Sequence, residues 1–202
     1  MDTSLNGKRA LITGAGDGIG REIAVAMARE GATVAVHGRS LVRIESTLAA
    51  IKAEGGTAIP ALADLADEDA IATMCEDALS SLGGLDVLVN NAGIYAIDDT
   101  PTMTPETWKS ILNINLTAPF LVTRAVYSAL IDSGSDASVI FISSIAADAH
   151  TNGWGAYAAS KNGLNAYMHC LADELGAHGA RVNCIAPGWV ETKMAQEGHK
   201  DM

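Results

Sequence analysis

Short apolar runs alternate with longer stretches of helical period along almost the whole chain, and the first changeover carries four glycines, in Gly14-Ala15-Gly16-Asp17-Gly18-Ile19-Gly20. The alternation predicts strands over 9–13, 33–37, 57–63, 85–90, 138–143 and 181–186, with helices over 19–30, 41–53, 67–82, 104–130 and 155–175. Ile19, Ile23 and Met27 share one face of the first helix, which Gly31 ends, and Gly55 and Gly56 stop the second. Parallel strands cannot be joined by a tight turn and need a crossover, which a helix supplies. The expectation is an α/β fold: a doubly wound parallel sheet with helices on both faces. The unbroken runs Val87-Leu88-Val89 and Val139-Ile140-Phe141-Ile142 fit strands buried on both sides.

A chain of 202 residues with no Pro/Ser-rich linker is read as a single domain over 1–202. Lysine and arginine number 13 against 24 acidic residues, a net charge of −11, which repels nucleic acid and anionic membranes at long range. Hydrophobic residues make up 49% against 18% charged, too apolar for a disordered chain, and no unbroken apolar run reaches membrane-spanning length. The opening residues 1–6 carry no basic-then-apolar signal, so a cytoplasmic protein is expected. Cys75, Cys170 and Cys184 are odd in number and widely spaced, which suits buried or half-buried thiols rather than disulfides or zinc. His37, His150, His169, His178 and His199 show no metal-ligand spacing, and no metal site is expected.

Glycines are ordinary turn residues, but between a strand and a helix they also let backbone approach a pyrophosphate at a helix N-terminus. That placement makes the sheet Rossmann-type and the cofactor a dinucleotide. At the end of the second strand a carboxylate would bind the ribose 2′-hydroxyl of NAD, whereas an arginine accepts the 2′-phosphate of NADP. The sequence there is His37-Gly38-Arg39-Ser40, without an acid, so NADP(H) is favoured and NAD(H) remains possible. Asp17, in the glycine turn, opposes phosphate binding if it faces inward.

Tyr157 and Lys161 are four apart and share a helix face. Such a pair is often a plain surface pair. It is also a general acid/base if the ammonium draws the phenol down from its free pKa of about 10. Ser143 and Ser144 end the fifth strand at the carboxyl edge of the sheet, where open α/β folds hold ligands. No G-x-S-x-G elbow surrounds them, so hydrogen bonding is their expected task.

Taken with Asn90-Asn91-Ala92-Gly93 after the fourth strand, Asn115 in Asn113-Ile114-Asn115-Leu116, and Pro187-Gly188 after the sixth, these motifs resemble the short-chain dehydrogenase/reductase family over essentially the whole chain. The resemblance implies that Tyr157 protonates a carbonyl oxygen polarised by Ser144. By the same resemblance Lys161 tunes the phenol and binds the nicotinamide ribose, and Asn115 kinks its helix and anchors a water. It further implies that Gly14, Gly16, Asp17, Gly18, Ile19, Gly20, Arg39, Ser40, Asp64, Leu65, Asn91, Ala92, Gly93, Pro187, Gly188, Val190 and Thr192 line the cofactor site, with Tyr157 and Lys161. Members usually continue beyond the position of Met202 through a covering helix, another helix and a seventh strand. The expectation is an unpaired sixth strand and a wetter nicotinamide side. Ala96, Ile97, His150, Trp154 and Trp189 flank the expected pocket mouth and suit an apolar or amphipathic carbonyl or alcohol. Leu164, Met168, Leu171 and Leu175 form a stripe explained first by core packing, and similar proteins form homodimers or homotetramers through this helix and the long one before it. The reading is an NADP-dependent oxidoreductase of a small-molecule carbonyl or secondary alcohol, of the 3-oxoacyl-thioester reductase-like kind. The alternatives are a sugar or polyol dehydrogenase and a catalytically weak NADP-binding sensor or scaffold.

Overall fold

Six strands, Arg9–Ile12 (β1), Thr33–Gly38 (β2), Thr57–Leu62 (β3), Val87–Asn90 (β4), Ser138–Ile142 (β5) and Arg181–Ile185 (β6), pair in parallel in the order β3-β2-β1-β4-β5-β6. They are drawn from a computed structural model that describes residues 4–149 and 151–198. The connecting helices are Gly18–Arg29 (α1), Leu41–Ala53 (α2), Glu68–Leu82 (α3), Pro105–Leu112 (α4), Ala118–Ser133 (α5), Gly155–Gly176 (α6) and Lys193–Gly198 (α7). Successive side chains on a strand point to opposite faces, so a strand covered on both sides is apolar at every position. Across the sheet Ala35, Leu11, Leu88, Val139 and Val182 pair in register and pack into one core with α3, α5 and α6. The next row, Val36, Ile12 and Val89, packs into the other core with α1 and α2. Leu11 and Leu88 are fully buried, and truncating either to Ala costs about 2–5 kcal/mol.

Local chemistry sets the helix ends. The Asp67 carboxylate accepts from the Asp69 and Ala70 N–H groups at 3.0 and 3.1 Å, and Gly83 at φ 72° ends α3. The helix expected over 104–130 is interrupted. Thr104 caps α4, residues Asn113–Thr117 form a π turn closed by the Ala118 N–H on the Asn113 carbonyl, and α5 follows. Pro119 has no N–H to return to the Asn115 carbonyl, which is the local reason for the widened turn.

Two expectations need correction. The continuous helical stretch Pro105–Asp136 is long and apolar enough to cross a bilayer by length and composition, although no unbroken apolar run announces it. Its Val122, Val126 and Leu130 are buried in the core, so core packing accounts for it. Cys170 is exposed on α6, whereas Cys75 is buried and Cys184 half-buried. Among the described residues β3 and β6 are the sheet edges, and Ile185 at the end of β6 is 50% exposed.

Candidate active site

The strand order reverses between β1 and β4, and the crevice at that switch point is where an open α/β sheet accepts a ligand. A cleft of about 590 Å³ runs over the carboxyl ends of the strands there. One wall is the turn between β1 and α1. Gly14 lies at φ 64°, and a Cβ on it would stand 2.8 Å from the Ala92 Cα. A Cβ on Gly20 would overlap the Gly14 carbonyl and the Asn91 amide. The turn is bolted to β4: Asn91 Nδ2 donates to the Thr13 and Gly14 carbonyls at 2.9 and 3.0 Å. Thr13 Oγ1 accepts from the Asn91 and Ala92 N–H groups at 2.9 and 3.1 Å.

Asp17 is exposed and its carboxylate does not cap α1, so it leaves the first N–H groups of that helix to other acceptors. Uncapped donors beside a turn that no side chain could occupy fit a pyrophosphate. Gly14, Gly16, Asp17, Gly18, Ile19, Gly20, Arg39, Asp64, Leu65, Asn91, Ala92 and Gly93 all border the cleft. Pro187, Gly188, Val190 and Thr192 border it from the far side, and a Cβ on Gly18 would lie 3.2 Å from Thr192 Cγ2.

Ser40 does not reach the cleft. It is the exposed residue before α2, and Arg43 borders the cleft in its place, because the first turn of α2 lays the Arg43 carbonyl against Gly16. Arg39 and Arg43 thus flank the end of β2. A second residue missed as a site is His37. It is 2% exposed, its Nδ1 accepts from the Gly14 N–H at 2.9 Å, and its Nε2 lies 3.2 Å from the Ala63 carbonyl. Both contacts are made by the neutral tautomer with the proton on Nε2. Burial brings the ring down to about 4, with the Ala63 bond and Asp64 opposing.

The other wall carries the serine, tyrosine and lysine. Ser143 and Ser144 both border the cleft; Ser143 is buried, with Oγ 3.4 Å from the Lys161 carbonyl, and Ser144 is half-buried. Ser144 Oγ accepts from the Ala146 N–H at 3.1 Å and lies near enough to the Tyr157 phenol to act on its ionisation. Burial pushes the phenol above its ordinary value of 10, and Ser144 pulls part of that back. Lys161 Nζ donates to the Ile142 carbonyl at 2.7 Å and lies 5.7 Å from the Tyr157 ring centre. Burial brings this ammonium down to about 8. The expected direction for the phenol is therefore reversed: desolvation outweighs the pull of Ser144, and the Lys161 ammonium is directed at the Ile142 carbonyl.

Asn115 is fully buried behind the cleft and does not line it. Its amide pairs with both backbone groups of Ile94 at 2.8 Å, and Nδ2 also donates to Ser160 Oγ at 3.0 Å, tying the loop after β4 to α6. At the mouth, Trp154 and Trp189 line the cleft, while Ala96 and Ile97 do not. The Asp98 N–H bonds the Gly153 carbonyl at 2.9 Å and draws the loop away after Tyr95, so the Tyr95 ring faces in. His150 lies outside the described residues. No group of metal-ligating side chains occurs among the described residues.

A family model for short chain dehydrogenase matches residues 8–202. A 3-oxoacyl-[acyl-carrier-protein] reductase of Synechocystis is 35% identical over 195 residues, covering 96% of this chain and 78% of its own length. A hydroxynaphthalene reductase of Aspergillus fumigatus is 36% identical over 194 residues, covering 96% and 70%. A Beutenbergia cavernae structure with bound NADP at low occupancy, assigned as an NAD(P)-dependent gluconate 5-dehydrogenase, matches with a TM-score of 0.92 at 36% identity. That match covers 98% of this chain and 78% of the other. A carrier-bound thioester, a fused aromatic ring and a sugar acid in these names mean that the scaffold does not fix the substrate. A Rossmann-type sheet with such matches along its length has one interpretation: the chain belongs to the short-chain dehydrogenase family of nicotinamide-dependent oxidoreductases.

Proposed function

We propose that this chain is an NADP(H)-dependent carbonyl reductase or secondary-alcohol dehydrogenase in which Tyr157 is the general acid/base. The observation that carries the proposal is that Ser144, Tyr157 and Lys161 border the same cleft as the glycine turn, with the Lys161 Nζ 5.7 Å from the Tyr157 ring centre and Ser144 drawing the phenol pKa down. When bound, the nicotinamide supplies or accepts the hydride. In reduction the carbonyl carbon gains that hydride and its electron pair, and the oxygen takes a proton from Tyr157. Ser144 hydrogen-bonds the same oxygen as negative charge develops on it. Burial keeps the phenol protonated near neutral pH, the form a donor needs, and the Lys161 ammonium supports the phenolate left behind. Asn115 acts by holding the loop after β4 against α6 rather than by touching the reacting atoms. Arg39 and Arg43, with no carboxylate at the end of β2, support NADP over NAD.

The exposed apolar lining of Ile94, Trp189 and Val190 favours an apolar or amphipathic carbonyl over a sugar or polyol. A sensor that only binds cofactor has no use for the Ser144–Tyr157 pair. The family resemblance also points to a homodimer or homotetramer built through α5 and α6. The test is a screen of keto-esters, ketones and sugars with NADPH, following loss of its absorbance. Turnover lost in Tyr157→Phe supports the reading, and cofactor binding without Tyr157-dependent turnover of any substrate rejects it.

A further inference from the structure

Tyr157 does not stand alone in the cleft wall. Tyr95, after β4, and Trp154, just before α6, lie parallel with centroids 5.6 Å apart and 7° between planes. Tyr157 meets both edge-on, at 5.5 Å from Trp154 and 6.4 Å from Tyr95. All three rings border the cleft. The two loops are pinned together by the Asp98 N–H on the Gly153 carbonyl at 2.9 Å. Gly153, at φ 78°, is packed so closely that a Cβ on it would lie 2.8 Å from Ile97 Cγ2. The aromatic wall is therefore fixed in advance of any ligand, which lowers the ordering cost of binding.

Resting on the carbonyl-reductase reading, we infer that the substrate is a ketone on an aromatic or fused-ring body, free in solution, and that Tyr95 and Trp154 select it. Ring faces and edges favour other rings, and an aromatic pair adds up to about tenfold in affinity beyond the area it buries, which an aliphatic acyl chain does not obtain. The charges agree with a free substrate. A thioester carried on coenzyme A or on a phosphopantetheine arm brings phosphates, which need cations near the mouth. Among the described residues the cations bordering the cleft are Arg39 and Arg43, at the end of β2, and Lys161, buried at the reacting centre. On the other side of the same two loops a groove is lined by Asp98, Asp99, Met103 and Trp108, with no cation among the described residues that line it. An anionic carrier would meet repulsion there, added to the net charge of −11. The ketone becomes a secondary alcohol, taking the hydride from NADPH at carbon and the Tyr157 proton at oxygen.

The experiment compares kcat/KM with NADPH for 2-tetralone, ethyl acetoacetate and acetoacetyl-coenzyme A. The expected result is 2-tetralone ahead of ethyl acetoacetate by about tenfold, with acetoacetyl-coenzyme A the poorest. In Trp154→Ala the ratio of 2-tetralone to ethyl acetoacetate falls toward one, mainly through the KM for 2-tetralone, and Trp154→Phe restores most of it. Tyr95→Ala provides the same comparison if the tryptophan variant does not fold. Equal use of 2-tetralone and ethyl acetoacetate, or acetoacetyl-coenzyme A as the best substrate, overturns this inference and leaves the carbonyl-reductase reading standing. No turnover of 2-tetralone overturns this inference as well, whereas the carbonyl-reductase reading falls only if no substrate of the wider screen shows Tyr157-dependent turnover.

Discussion

Lowering the pH should loosen this protein through a single buried ring, His37. The neutral imidazole joins three segments, since it accepts from Gly14 in the glycine turn, sits at the end of β2, and reaches the Ala63 carbonyl after β3. Protonation would set an Nδ1–H against the Gly14 N–H, donor against donor. The folded chain holds the ring at about 4, below its ordinary 6.5, a difference worth about 3 kcal/mol. Because the folded value is the lower one, the unfolded chain binds the proton first. Stability from this group is therefore intact above about pH 6.5, declines as pH falls, and is about 2 kcal/mol lower by pH 5. Urea denaturation of wild type and His37→Asn between pH 8 and pH 4.5 measures it, and the difference between the two isolates His37 from the carboxylates. Asn can accept from Gly14 but does not titrate. Its cost at pH 8 is about 1–3 kcal/mol for the Ala63 carbonyl left without a donor. Parallel curves for the two proteins across the whole range would refute the reasoning.

Arg39→Ala and Arg43→Ala should each weaken NADPH binding by about tenfold or more and NADH binding little, as measured by fluorescence titration, and equal weakening would dismiss the 2′-phosphate role. With the phenol held above 10, kcat for ketone reduction should be flat from pH 6 to 7 and decline as the Lys161 ammonium loses its proton near 8, while kcat for alcohol oxidation rises from pH 6 to 7, in steady-state assays run in both directions. Asn115→Ala should cost about 1–3 kcal/mol in chemical denaturation, because it strands both part-buried Ile94 backbone groups.

The sheet was legible because burial on both faces forces unbroken apolar runs onto β1, β4 and β5, at residues 10–12, 87–89 and 139–142, a pattern no surface strand needs. The glycine turn was legible for a related reason: backbone contact with Ala92 excludes a side chain at Gly14. What the sequence hid were relations that appear only when segments meet. His37 looked like one more strand residue until β1, β2 and β3 converged on its ring. Arg43 was passed over for Ser40 because the turn that brings α2 onto Gly16 is a tertiary contact. Pro119 could have announced the interrupted helix from its missing N–H alone, whereas the Tyr95 and Trp154 stack depends on two loops far apart in the chain. The direction of the Tyr157 shift was misjudged because spacing on a helix reports the ammonium but not the burial of the phenol.

The claim that Ser144 and Tyr157 act as one unit is tested most directly by kcat for Ser144→Ala, Tyr157→Phe and the double variant, on the best substrate found with NADPH. The account predicts a loss of about 100-fold or more for Tyr157→Phe and little further loss in the double variant, since a hydroxyl that works on the same oxygen contributes little once the proton donor is gone. Losses that multiply, or a Tyr157→Phe enzyme that turns over at the wild-type rate, would contradict it.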